Sequence, residues 1–230
     1  MADKSSLTYL GHMSFLWKSL LGNQILIDPF QQPNDNRSWF VIEYPKLHVD
    51  VVLITHDHFD HNELAAVKSA ELRITTPGIT DIPGARIIGV QDLHAPFRSC
   101  MNMPNVMFVI EMEGIRYCHI GDNRADIPEK ELMKLGDIDV LIVPIDDSSH
   151  LHRFNDIENL VELIDPKLII PSHYYIDGIT DPLSTLKPIT NWIENQKNVV
   201  FVNNSKISID KNHLPFEKEI WVLDADLKSQ

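Results

Sequence analysis

Short apolar runs broken by glycine and polar pairs open the chain. Leu7–Leu10, Ser14–Lys18 and Gln24–Ile27 read as strands, separated by Gly11 and by Gly22-Asn23, a common reversal between strands. The run Val51–Ile54 is short, β-branched and flanked by polar residues, which predicts a buried strand. A polar stretch, THDHFDHN, follows it, and then Glu63–Leu72, whose composition and apolar spacing predict a helix. Further strands are expected at Arg86–Ile88, Met107–Glu111, Ile115–His119, Val140–Val143 and Leu168–Ile170, and closing strands at Val199–Asn203, Lys206–Ile209 and Glu219–Leu223. Helices are expected from Pro128 through Leu135, with proline suited to a first turn, and over Asp156–Ile164 and Pro182–Gln196.

Strands and helices alternate in the middle of the chain, and strand-rich blocks flank them. Two sheets packed face to face with helices outside accommodate that order, so the expected fold is α/β, a four-layer αββα sandwich. The chain has 230 residues, 43% of them hydrophobic, with no repeat and no shift of composition, which predicts one domain over residues 1–230.

Charge narrows the range of partners. A formal net charge of -13, with no Lys/Arg-rich run, argues against a dedicated nucleic-acid binder, because such a surface repels phosphate backbones at long range. Bound divalent cations would reverse the field locally, so a nuclease is disfavoured and not excluded. Cys100 and Cys118 cannot make a disulfide framework and read as two free thiols. The opening residues lack an apolar core of signal-peptide length, and no window approaches the roughly 20 apolar residues of a membrane helix. The expectation is a cytoplasmic protein that acts on a small molecule away from membranes; its oligomeric state is open.

The strongest chemical signal is the segment His56–His61. His56, His58, Asp60 and His61 are four potential metal ligands within six positions. In extended backbone, side chains two apart point the same way, so His56 and His58 can grip one cation together. As the chain turns toward Asn62, Asp60 and His61 can aim at a second cation beside the first. A solvated histidine-rich loop is the bland alternative, and four ligand types directly after a buried strand outweigh it. Three more candidates, His94, Asp122 and His173, fall where expected strands run into loops. Imidazole and carboxylate without thiolate suit two divalent metal ions, Zn or Mn, with Fe also open.

The motif HDHFDH resembles the metal motif of the metallo-β-lactamase fold. Around it the chain is similar to one branch of that superfamily, which includes L-ascorbate-6-phosphate lactonase and N-acyl phosphatidylethanolamine phospholipase D. The pieces that match are Gly11-His12, the Ile-Asp-Pro segment with Asp28 and Pro29, a lone histidine at His94, Gly121-Asp122, and Pro171–Tyr174. They span roughly residues 7 to 175; the tail is unspecific. The resemblance implies that His56, His58 and His94 hold one metal, that Asp60, His61 and His173 hold another, and that Asp122 bridges them. If His94 is not a ligand, the first metal is under-coordinated, or His119 or another residue replaces it. It also places His12 near the metals, where it either protonates a leaving group or orders its surroundings.

Asp28 reads equally as an orienting carboxylate and as a turn-forming Asp-Pro. The polar stretch after Val143–Ile145 offers Asp146, His150, His152 and Arg153 to a cleft, although each alone reads better as a solvated side chain. Arg98, Arg124 and Tyr174 carry the same ambiguity, and Trp39 and Trp192 read as core. The expected function is hydrolysis of a small ester (a lactone, phosphodiester or phosphorylated metabolite) by a metal-bridging hydroxide, with Asp60, Asp122 and His12 as catalytic candidates. The alternatives are an iron-dependent oxygenase or redox protein on the same fold, and a nucleic-acid phosphodiesterase.

Overall fold

The computed structural model describes residues 4–32, 38–95, 102–147 and 151–226. Its period-two segments assemble into two large sheets. The first has six strands, in the spatial order Lys206–Ile207, Ser6–Gly11, Ser14–Lys18, Gln24–Ile27, Val51–Leu53 and Leu72–Ile74. The second has eight, in the order Val199–Phe201, Glu219–Val222, Leu168–Ser172, Val140–Pro144, Ile115–His119, Pro104–Met112, Ala85–Leu93 and Gly78–Ile82.

Side-chain alternation then builds the layers. Tyr9, Phe15, Trp17, Ile25, Ile27 and Leu53 face Phe108, Ile110, Ile142 and Ile170 across the space between the sheets. The alternate positions point outward. On the second sheet, Met107, Val109, Leu141 and Ile169 pack under Leu135 of helix Glu129–Leu135, under Ile157, Leu160 and Val161 of helix Phe154–Ile164, and under Trp192 of the short helix Thr190–Ile193. On the first sheet, Leu10, Leu16, Leu26, Val52 and Ile54 pack under Leu47 and Val49. The outer layer on that side is thin: a 3-10 turn at Leu64–Ala66 and a two-stranded parallel ribbon of Leu47–His48 and Val67–Ser69. Among the described residues no helix is long and apolar enough to cross a membrane.

Two expected helices are corrected. Glu63–Leu72 holds one 3-10 turn, the ribbon strand Val67–Ser69 and the start of strand Leu72–Ile74, which lies parallel to Val51–Leu53 in register Val51↔Leu72. The apolar spacing did mark burial, since Leu64, Val67 and Ala70 pack on the outer face of the first sheet. Sheet pairing overrode helix propensity there. Over Pro182–Gln196 the only α-helix is Thr190–Ile193. Proline at 188 lacks an N–H and pushes Lys187 toward extended backbone, and the Lys187 carbonyl instead accepts from Tyr175 N–H at 2.9 Å. The sequence reading also missed the strands Leu47–His48 and Gly78–Ile82, and it cut Ala85–Leu93 short.

The inter-sheet layer sets stability. Phe108→Ala, at a fully buried central position, is expected to cost about 3–5 kcal/mol in urea unfolding. Met133→Ala, at a side chain 78% exposed, should stay within about 0.5 kcal/mol of the parent.

Candidate metal centre

Every element that carries a candidate donor ends at the same edge of the sandwich. His12 follows Ser6–Gly11, Asp28 follows Gln24–Ile27, and the stretch 56–61 follows Val51–Leu53. On the second sheet His94 follows Ala85–Leu93, Asp122 follows Ile115–His119, Asp146 follows Val140–Pro144, and His173 follows Leu168–Ser172. Parallel pairing of Ile115–His119, Val140–Pro144 and Leu168–Ser172 brings their C-terminal ends side by side. Ala85–Leu93 runs in the same sense, because each strand pairs antiparallel with Pro104–Met112 between it and Ile115–His119.

The donors fall into two groups, each with its ligand atoms within 4.8 Å of one another. One is His56, His58, His94 and Asp122; the other is His12, Asp60, His61 and His173. All are buried except His58, which is partly exposed. Asp122 Oδ2 lies between the groups, 3.8 Å from His56 Nε2, 3.5 Å from His94 Nε2, 3.4 Å from His61 Nε2 and 3.7 Å from His173 Nε2. The set joins all seven residues that the sequence singled out as ligands, His94 included, and adds His12. His119 stays outside it: its Nε2–H donates to the Met13 carbonyl at 2.8 Å, and its Nδ1 accepts from Gly121 N–H at 3.3 Å.

His56, His61 and His94 are each turned by a hydrogen bond on the far side of the ring. Asp28 accepts from Thr55 N–H (2.8 Å), from the Thr55 hydroxyl (2.7 Å) and from His61 Nδ1–H (2.9 Å). With its proton given to Asp28, the Thr55 oxygen accepts from His56 Nδ1–H at 3.0 Å. His94 Nδ1–H donates to the Ala95 carbonyl at 2.8 Å. These bonds turn Nε2 of His56, His61 and His94 inward; His56 Nε2 accepts from His58 Nδ1–H at 3.0 Å, and His61 presents Nε2 to a cation once its proton leaves. His12 Nε2–H donates to Asp60 Oδ2 at 3.1 Å, since a carboxylate can only accept.

Among the described residues, the buried atoms His61 Nε2, His94 Nε2 and Asp122 Oδ1 have no hydrogen-bond partner. Buried polar atoms of this kind carry a desolvation cost that coordination of a divalent cation offsets. The residues therefore fit a metal. Their mutual electrostatics fit as well. Burial works against charge on Asp60 and Asp122, yet His61 beside both holds them well below the usual carboxylate range. Burial also works against charge on His61 and His173, but the Asp122 carboxylate leads a set of acids that holds His61 well above its ordinary value and His173 up at about 10. Burial, then the neighbouring His173, pushes His12 down to about 3, so it is neutral. Divalent cations replace such shared protons when they bind.

Backbone strain clusters here too. His12, Asp28 and His173 have φ of 53°, 45° and 56°, left-handed conformations that cost on the order of 1–3 kcal/mol each in a non-glycine residue.

The remaining sequence candidates divide. Asp146 is buried, with Oδ2 3.5 Å from His173 Nδ1. His152 is buried, donates Nε2–H to the Asn123 carbonyl at 2.7 Å and joins neither donor group. Arg124 clamps Asp92 with Nε and Nη2, and Arg153 lies exposed 4.0 Å from Asp147. Tyr174 belongs to the inter-sheet core and Trp192 to the outer one. Trp39 is buried edge-on to both Phe59 and His12. Cys118 is buried, and burial pushes its thiol up to about 12. His150, Arg98 and Cys100 lie outside the described residues. Thr55 is the residue the sequence reading missed; its place directly before the histidine motif was the available signal.

Residues 6–173 match the sequence profile described as the β-lactamase superfamily domain. The chain belongs to the β-lactamase superfamily. Members similar to it include a UPF0173 metal-dependent hydrolase of Thermococcus onnurineus, 28% identical over 193 residues, which cover 72% of this chain and 83% of that protein. A second, from Archaeoglobus fulgidus, is 26% identical over 73% of this chain and 82% of its own length. Among solved structures, a candidate Zn-dependent hydrolase of the metallo-β-lactamase superfamily from Thermotoga maritima aligns with a TM-score of 0.73 at 26% identity, over 96% of this chain and 100% of that one. Profile, relatives and donor set agree on a metal-dependent hydrolase of the metallo-β-lactamase superfamily.

The approach of Asp122 in this superfamily member runs through Gly121, whose φ is +57°. A Cβ there would lie 2.6 Å from Asn105 Oδ1 and 2.7 Å from Thr55 Cβ. Gly121→Ala should lower stability by on the order of 1–3 kcal/mol and reduce bound metal, read by thermal unfolding and elemental analysis.

Proposed function

We propose that the protein is a binuclear metal-dependent hydrolase of a small ester: a lactone, phosphodiester or phosphorylated metabolite. The observation that carries this reading is Asp122 Oδ2, placed within 3.4–3.8 Å of imidazole nitrogens from both donor groups. A carboxylate in that position can share itself between two cations. His56, His58 and His94 would hold the first cation, and Asp60, His61 and His173 the second. Donors of this kind suit Zn or Mn, and Fe as well. When bound, such a pair would supply a hydroxide near neutral pH and polarise the carbonyl or phosphoryl group under attack.

The chain's own residues prepare the site for that chemistry. Asp28 and Thr55 fix which nitrogens of His56 and His61 face inward. Neutral His12 holds the Asp60 carboxylate through Nε2–H, which suits positioning better than proton donation to a leaving group. Asp60 and Asp122, ionised under the influence of His61, can orient the attacking hydroxide. Phe30, Trp39 and Phe40 stand edge-on to His12 and give that flank of the site an apolar wall.

Elemental analysis of untagged protein is expected to find close to two Zn or Mn per chain. Hydrolysis of bis-p-nitrophenyl phosphate or a p-nitrophenyl ester should vanish on chelation and return on addition of either metal. Asp122→Asn should lower kcat by more than the about 10–100-fold typical of a residue that only supports a ligand. One iron per chain with no hydrolysis would overturn the proposal in favour of an oxygenase.

A further inference from the structure

The two donor groups are similar in ligand type, yet the atoms behind their imidazoles differ in charge. In the first group, His56 leans on the Thr55 hydroxyl and His94 on the Ala95 carbonyl, both neutral acceptors. In the second, His61 leans on the Asp28 carboxylate at 2.9 Å, and His173 Nδ1 faces the Asp146 carboxylate at 3.5 Å. Asp60 also belongs to the second group alone, while Asp122 is shared. Three buried carboxylates therefore surround the second position over and above the shared one.

Strand register puts Asp146 there. Val140–Pro144 and Leu168–Ser172 pair in parallel as Val143↔Pro171 and Pro144↔Ser172, and Ile145 N–H donates to the Ser172 carbonyl at 2.7 Å. The next residue on each strand beyond that bond is Asp146 on one and His173 on the other. The pairing thus follows from the sheet, although in sequence Asp146 opens a polar stretch that reads as a solvated loop. The three left-handed residues, His12, Asp28 and His173, also all flank the second position, and His173 N–H is tied to the His12 carbonyl at 2.9 Å. The second position is thus both the more negative and the more tightly built.

We infer that the two cation positions are unequal: the one at Asp60, His61 and His173 fills first and holds its ion more tightly, and Asp146 is a positioning residue that, with Asp28, sets the difference. The inference rests on the binuclear reading proposed above. Its physical basis is twofold. A carboxylate behind an imidazole fixes the ring and raises its basicity toward the metal. Extra buried negative charge attracts a dication strongly where water is excluded.

The test is titration of metal-free protein with Co²⁺, followed by visible absorption and equilibrium dialysis. Two resolved steps are expected. Crystals grown with one equivalent of Co²⁺ should show their anomalous peak at Asp60, His61 and His173. Asp146→Asn keeps the shape and removes the charge; it should weaken the tight step by about 10–100-fold and leave the weak step unchanged. His58→Ala should abolish the weak step alone. A first ion found at His56, His58 and His94, or two indistinguishable steps, would overturn the inference while leaving two bound ions and the hydrolase reading intact. Equal shifts of both steps in Asp146→Asn would also overturn it. Protein that binds no Co²⁺ would remove the binuclear reading along with it. The one-equivalent crystal of the parent protein decides the matter even if a variant fails to fold.

Discussion

The donor set draws on two separate sheets, so the site depends on hydrogen bonds that stitch the sheets together at one end. Val106 N–H donates to the Thr55 carbonyl at 2.8 Å, His173 N–H to the His12 carbonyl at 2.9 Å, and His119 Nε2–H to the Met13 carbonyl at 2.8 Å. Through the middle of the sandwich the sheets meet by apolar side chains, whose packing tolerates small slides. A directional bond between buried groups tolerates far less, because breaking it leaves polar atoms unpaired. Those three bonds hold His12, Asp28 and residues 56–61 of one sheet against His94, Asp122 and His173 of the other. Metal geometry needs donors placed to a few tenths of an ångström, and rigid strand ends joined in this way can supply it.

Within that frame Asp28 does a second job. Its carboxylate takes hydrogen bonds from Thr55 and His61, the two residues that bracket 56–60. The metal loop is therefore pinned at both ends to the residue that ends strand Gln24–Ile27. This explains how nine residues without regular helix or ladder bonds, 54–62, can carry donors to defined positions. It also explains the left-handed backbone of Asp28: the three bonds converging on one buried carboxylate outweigh a strain of on the order of 1–3 kcal/mol.

Much of the site was legible in the sequence because four ligand types fall within six positions directly after a buried strand. The extended expectation for this stretch is corrected: residues 55–57 bend and 59–61 turn, with His61 N–H donating to the His58 carbonyl at 3.0 Å, so that adjacent Asp60 and His61 are both buried. Strand ends told where distant ligands would fall, and His94, Asp122 and His173 converge accordingly. What was not legible depends on pairing. Asp146 looks like loop polarity until the register of Val140–Pro144 against Leu168–Ser172 sets it beside His173. Glu63–Leu72 carries helical spacing, and only the free edge beside Val51–Leu53 makes an extended return the better burial. The Pro182–Gln196 reading failed for a local reason, since the proline at 188 should have counted against a long helix from the start.

Charge compensation acts across the whole donor cluster. Buried carboxylates and imidazoles would each be costly alone, and together they hold one another charged: Asp122 and Asp60 are kept ionised by His61, and His61 and His173 are kept protonated by the acids. The cluster can therefore exchange those shared protons for cations. A site built only from neutral imidazoles could not do so, because nothing would oppose repulsion once one ring was protonated. The acids around His61 and His173 thus serve folding and metal capture by the same electrostatics, so their cost to stability and their use in binding cannot be separated by mutating any one of them alone.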